Sequence, residues 1–203
     1  MKNKFVIMLV LYSFSMPLFS QDFEQYNNNG IAQADLGNYK EAIIEFKKAI
    51  ELNPKSAIAN NNIGNCFMEM RNLESAISYY NLAIIYNPKF AKAYYNRGKA
   101  KSELKRNDSA LIDINKSLEL DPAYFQAYFV RGNIKYSLMD FNGSIADYTT
   151  SIKMSPNYAQ AYYNRGGAKL TKGDKEGGCA DFSTSLKLGY KPAQEFIDQY
   201  CKP

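Results

Sequence analysis

From Tyr39 onward the apolar positions fall at helical intervals. Ile43, Phe46 and Ile50 stand at i, i+3 and i+7, and the stripe returns as Ile77, Tyr80 and Ile84, as Leu111, Ile114 and Leu118, and as Ile145, Tyr148 and Ile152. Each stripe predicts an amphipathic helix with one buried face. Ahead of each lies a second helical segment built around Gly30, Gly64, Gly98, Gly132 and Gly166, each 34 residues after the last. A large residue stands four before the glycine, as Tyr26, Tyr94, Tyr128 and Tyr162, with Asn60 the exception. That spacing puts both on one helical face. Pro54, Pro88, Pro122 and Pro156 keep the same step. Proline lacks an N–H and restricts the residue before it, so it marks the end of each second helix.

A strict period of this length predicts a stacked array, because such units cannot bury their apolar faces alone. The units run 23–56, 57–90, 91–124, 125–158 and 159–192, followed by a C-terminal capping helix over 193–203. The expected fold class is an all-α solenoid of five helix-turn-helix repeats. Glycine inside a helix costs about 1 kcal/mol against alanine, so its recurrence predicts a spot where a neighbouring helix comes too close for a side chain. Ala42, Ala76, Ala110, Ser144 and Gly178 are the small residues opposite. The last unit is the least regular. Gly177 and Gly178 weaken the start of its second helix, and Gly189 replaces the proline stop with a glycine C-cap.

With Tyr94, Gly98, Ala110 and Pro122 in place, the chain resembles the tetratricopeptide repeat family, whose pattern runs aromatic, Leu-Gly, Tyr, Ala, Phe and Pro over one period. The resemblance covers nearly all of the chain after its first residues. It departs where Arg97, Arg131 and Arg165 occupy the leucine slot, with Ile63 closer to the pattern and Asn29 polar. These arginines are expected to lay their stems along the seam between repeats and keep the charge in water.

The resemblance implies a right-handed solenoid whose first helices line a concave surface that takes extended peptide segments or partner helices. Asn28, Asn62, Asn96 and Asn164, two before their glycines, then become candidate contacts, with Val130 the exception. An amide offers donor and acceptor together and can pair with a backbone without reading its sequence. The other reading is that these asparagines satisfy local polar groups. In the neighbouring slot, Asn27 and Asn61 give way to Tyr95, Phe129 and Tyr163. These are either exposed anchors for a ligand or core between units. Asn65, Lys92, Lys99, Asn133 and Tyr136 complete the surface. Some family members clamp a peptide carboxylate with lysine, asparagine and arginine; here Val130 stands where a basic residue is needed, so no complete clamp is expected.

The first residues change the setting. Met1 to Lys4 are basic, Phe5 to Phe19 mostly apolar, and Ser20 offers a small residue for cleavage, which reads as a signal peptide over 1–20. The apolar run is broken by Ser13, Ser15 and Pro17 and falls short of the roughly 20 residues that span a bilayer. The expected location is the bacterial periplasm or the exterior. In an oxidising compartment Cys179 and Cys201, about level on antiparallel helices if the chain turns near Gly189, are placed for a disulfide; the alternative is two free thiols. Cys66 reads as a small buried side chain.

Charge and chemistry narrow the function. The net charge is +5, and removing residues 1–20 takes Lys2 and Lys4 and no acid, leaving +3. A mildly basic exported chain with dispersed charge is not expected to bind nucleic acid. The absence of histidine excludes histidine-dependent triads and removes the commonest zinc ligand. No phosphate-loop pattern, paired metal spacing or catalytic constellation is found, so neither an enzyme nor a cofactor or metal is expected. The function read from the chain is a non-catalytic scaffold holding a protein or peptide segment, with a monomer favoured. The rival is a self-assembling structural component of a cell-envelope complex.

Overall fold

The structure is a computed structural model that describes residues 22–201. The expected signal peptide lies outside the described residues. Among these residues every regular element is α-helical. The chain divides into two compact units, one through Ala100 and one from Lys101 onward. The first holds α1 (22–35), α2 (Tyr39–Leu52), α3 (Ala57–Glu69), α4 (Leu73–Tyr86) and most of α5 (Ala91–Glu103). The second holds α6 (Asn107–Leu120), α7 (Phe125–Ser137), α8 (Phe141–Met154), α9 (Ala159–Thr171), α10 (Lys175–Lys187) and α11 (Ala193–Tyr200).

The second helices stop where proline requires it. α2, α4, α6 and α8 end at Leu52, Tyr86, Leu120 and Met154, two residues ahead of their prolines. The intervening Asn53, Asn87, Asp121 and Ser155 leave the helical region with φ between −133° and −139°. Each still donates its N–H to a carbonyl of the last turn, so the chain leaves the helix without orphaning that donor.

The turns from first to second helix share a different device. Gly37, Arg71, Lys105, Met139 and Gly173 occupy one slot, and all have φ between 60° and 89°. In each turn the N–H of the following residue reaches back five positions, as Asp140 does to Lys135 O at 2.9 Å, and the slot residue reaches back three, as Met139 does to Tyr136 O at 2.9 Å. This is the Schellman closure, which needs a left-handed residue. Three of the five turns make it without glycine.

Four of the five recurring glycines admit an aromatic ring. A Cβ on Gly30 would lie 2.5 Å from the Phe46 ring, and one on Gly64 2.5 Å from Tyr80. On Gly132 it would lie 2.6 Å from Tyr148, and on Gly166 3.0 Å from both Phe182 and the Gly178 carbonyl. The close approach expected from the sequence is therefore present. Its partner is chiefly the ring from the second helix, rather than the small residue opposite. Phe46, Tyr80, Tyr148 and Phe182 are among the most buried large side chains in the chain.

α10 ends in the same Schellman closure, with Gly189 at φ 93°. α11 then folds onto α10, where Cys179 and Cys201 are joined with Sγ–Sγ 2.01 Å and Cα–Cα 5.6 Å. Phe196 of α11 packs on Phe182 at 5.2 Å and on Tyr163 at 5.3 Å between ring centroids. Closing a loop of this size contributes about 3 kcal/mol in the chain-entropy picture. The terminal repeat's apolar edge is thereby covered.

Candidate functional site

The asparagine slots bring first helices of successive repeats together. In the first unit Asn62 Nδ2 donates to Asn27 Oδ1 at 3.3 Å, and Asn96 Nδ2 donates to Asn61 Oδ1 and Asn65 Oδ1, both at 2.9 Å. Asn65 Oδ1 also accepts from the Tyr80 hydroxyl at 2.9 Å. The second unit repeats this: Asn133 Oδ1 accepts from Asn164 Nδ2 and from the Tyr148 hydroxyl, each at 2.8 Å. Burial pushes the Tyr148 phenol well above its ordinary value, and the neighbouring Asn164 amide opposes the rise. The oxygens of Asn65 and Asn133 are thus structural, while their amide nitrogens make no hydrogen bond among the described residues.

Hollows lie over these ladders. One of about 400 Å³ in the first unit is lined by Asn62, Asn65 and Lys92, with Asp35, Glu69 and the Cys66 side chain beside them. Next to it, a hollow of about 240 Å³ is lined by Asn65, Asn96 and Lys99 together with Glu69. The walls there carry both signs of charge. In the second unit a hollow of about 300 Å³ is lined by Asn133, Tyr136, Tyr163 and Asn164 over the rings of Tyr148, Phe182 and Phe196. None of its lining residues is charged. Asn28 is exposed, and Tyr95 and Phe129, both half-buried, fall outside these three hollows.

In the aromatic slot, Phe129 and Tyr163 both pack on neighbouring rings. Phe129 packs edge-on against Tyr158 at 4.9 Å and against Tyr148 at 5.9 Å, which makes it a contact between helices. Tyr163 packs on Tyr190 at 5.0 Å and on Phe182 at 5.7 Å, and it also lines the hollow. Burial raises its phenol pKa, with smaller contributions from Tyr190 and Glu195.

Arg131 and Arg165 lie along the seam as expected but do not keep their charge in water. Arg131 grips the buried Asp147 with two nitrogens at 2.9 and 2.7 Å, and Arg165 does the same to Asp181 at 2.8 and 2.7 Å. Their charge is neutralised in the seam instead of standing in water. Arg131 also reaches Asn115 on α6 and Arg165 reaches Thr149 on α8, so each ties a first helix to the second helices on both sides. Each guanidinium lies over a tyrosine three residues earlier: Arg131 over Tyr128 at 5.3 Å, Arg165 over Tyr162 at 5.5 Å. Lys135 and Lys169 add a second cation to each carboxylate at 2.8 and 2.9 Å, and Lys101 pairs with Asp113 at 2.7 Å. Sequence reading missed these clusters. The signal was there, since Asp113, Asp147 and Asp181 keep the repeat step, as do Lys101, Lys135 and Lys169.

A family model described as TPR repeat matches residues 30–71 and 132–173, and another described as tetratricopeptide repeat matches 57–90 and 91–124. No curated protein matches the sequence. Among solved structures, that of MamA has 23% identity and TM-score 0.70, covering 81% of this chain and 96% of its own. PilF of Pseudomonas aeruginosa has 18% identity and TM-score 0.77, covering 89% of this chain and 87% of its own. YrrB, described as a TPR protein with an unusual peptide-binding site, has 18% identity and TM-score 0.69, covering 89% and 97%. At these identities the likeness is one of fold.

Proposed function

Because the chain belongs to the tetratricopeptide repeat family, we propose that it is a non-catalytic scaffold, exported to the bacterial envelope or beyond, that holds a partner polypeptide against its first helices. One observation carries the reading. In each unit, hollows open where successive first helices meet, and one asparagine at their edge, Asn65 in the first unit and Asn133 in the second, has its oxygen committed and its amide hydrogens uncommitted. Such groups suit a polypeptide backbone, whose carbonyls need donors at regular spacing. The peptide-binding site named for YrrB is consistent with this use of the fold.

The two units offer different chemistry. Asp35, Glu69, Lys92 and Lys99 give the first unit's hollows charges of both signs, while the second unit's hollow is aromatic and neutral. Photo-crosslinking residues placed at Asn62, Lys92, Tyr136 and Asn164 test the reading in the native host. Ile85 and Ile112, 66% and 70% exposed on second helices, serve as controls. The expected result is a heterologous protein captured from the first set and not from the controls. Capture only at the controls overturns the reading, and a second copy of the chain captured there favours self-assembly instead.

A further inference from the structure

Two adjacent glycines in α9 have opposite surroundings. A Cβ on Gly166 would strike the Phe182 ring and the Gly178 carbonyl, so packing explains it. A Cβ on Gly167 would meet nothing within 4 Å. Glycine weakens a helix interior, and no close contact or left-handed backbone requires it at 167. The slot holds Ile31, Asn65, Lys99 and Asn133 in the other repeats. Only here is it empty of a side chain, and here the neutral aromatic hollow opens.

We propose that Gly167 leaves a seat for one large apolar side chain, aromatic by preference, of a peptide segment lying along α7 and α9. This rests on the scaffold reading above and names what its second unit selects. The seat's base is Tyr148 and Phe182, both buried, and its sides are Tyr163 and Phe196. Its size suits a single ring and is too small for a helix. The absence of any charge in its lining disfavours a charged side chain, which would be desolvated without a counter-ion. At the edge, the Asn133 amide has both oxygen lone pairs engaged and its hydrogens unengaged, which positions it to donate to the peptide carbonyl beside the seated residue. One wall is Phe196, carried by α11, and α11 is tied to α10 through Cys179–Cys201. The bridge therefore positions part of the seat.

The chain has no tryptophan, so an indole probe reports alone. Titrating the oxidised protein with Ac-Gly-Trp-Gly-NH2 is expected to give a saturable blue shift of indole emission that Ac-Gly-Ala-Gly-NH2 does not compete away. Gly167→Leu fills the seat at a position with open space and a better helix former, so its thermal midpoint is expected to hold or rise while affinity falls at least tenfold. Replacing both Cys179 and Cys201 by serine is expected to weaken binding severalfold. No saturable shift with the unaltered protein, or undiminished binding by a folded Gly167→Leu, overturns the seat. Undiminished binding by the double serine variant overturns the role of α11. A chain that ignores the tripeptide yet crosslinks a partner through Asn62 or Asn164 loses this proposal and keeps the scaffold reading.

Discussion

Asn164 on α9 donates its side-chain amide to Asn133 Oδ1 on α7 at 2.8 Å, and the same oxygen takes the Tyr148 hydroxyl from α8. A single carbonyl group thus joins three helices. Two repeats earlier Asn65 plays the same part for Asn96 and Tyr80. The oxygen specifies how successive first helices meet, and the nitrogen of the same amide remains at the surface. In the slot two before the glycine the reverse holds, because Asn62, Asn96 and Asn164 spend the amide nitrogen on the ladder.

Replacing Asn133 by alanine should strand the hydroxyl of Tyr148, which is buried almost completely. The expected cost is about 1–3 kcal/mol, because a buried donor loses its partner. Asn164→Ala, which removes the donor but leaves Asn133 accepting from Tyr148, should cost about 1 kcal/mol or less. Urea denaturation of both single variants and the double variant gives the coupling. Strict additivity of the two changes would show that the ladder does not hold the seam.

Met139 holds a left-handed backbone at φ 63° while 78% exposed, so its side chain contributes little packing. Glycine already fills the same slot as Gly37 and Gly173. Met139→Gly should stabilise the protein by about 1 kcal/mol, since a left-handed conformation strains any residue with a Cβ. The reverse change, Gly173→Ala, should destabilise by a similar amount. Thermal midpoints moving in the same direction for both would contradict the assignment.

The period was legible because its two strongest constraints are steric: a glycine at one step in all five repeats, which in four of them admits a ring, and a proline that stops the second helix in the first four. The ring itself was visible in the sequence as part of an apolar stripe, yet nothing local says that Phe46 lies on Gly30. The turn slot escaped notice because Arg71, Lys105 and Met139 disguise a position that only Gly37 and Gly173 mark. The arginines misled for a related reason. An exposed-looking residue in an apolar slot suggests a solvated charge, whereas its partner Asp147 lies 16 positions away on the next helix. The period put the candidate residues on the first helices, and the resemblance is what singled those helices out. Which atoms are spent on structure depends on distances that no periodicity encodes.

Ser151 illustrates a cost the repeat has not removed. Its hydroxyl is buried without a hydrogen-bond partner, while Ser185 in the same slot donates to Ala159 O at 2.8 Å. The slot is alanine at Ala49 and Ala83. Ser151→Ala should therefore be neutral or stabilise by up to about 1 kcal/mol, because desolvation of the hydroxyl is no longer incurred. Ser185→Ala should destabilise. Chemical denaturation that ranks the two variants the other way round would refute this account of the slot.

Cys66, the free cysteine of the described residues, is buried against Phe46 and Ile63. Burial pushes its thiol up from 9.0 to about 11, because the thiolate is the form that loses hydration. The unfolded thiol ionises first as pH rises, so the unfolded chain gains a favourable ionisation that the folded chain does not share. Stability from this group is intact below about pH 9 and is lost between there and about pH 11. Cys66→Ala, which borrows the residue of Ala32 and Ala100, removes the titration and leaves the other groups in place. Relative to that variant the parent should lose at most about 3 kcal/mol across the window, since each pH step in which only the unfolded thiol ionises is worth about 1.4 kcal/mol. Thiol labelling at pH 8 supplies the companion test: the oxidised folded protein should react slowly and the unfolded one should show one thiol. A stability difference that stays flat to pH 11, or a thiol that reacts at once in the folded chain, would place Cys66 at the surface of the neighbouring hollow instead of in the core.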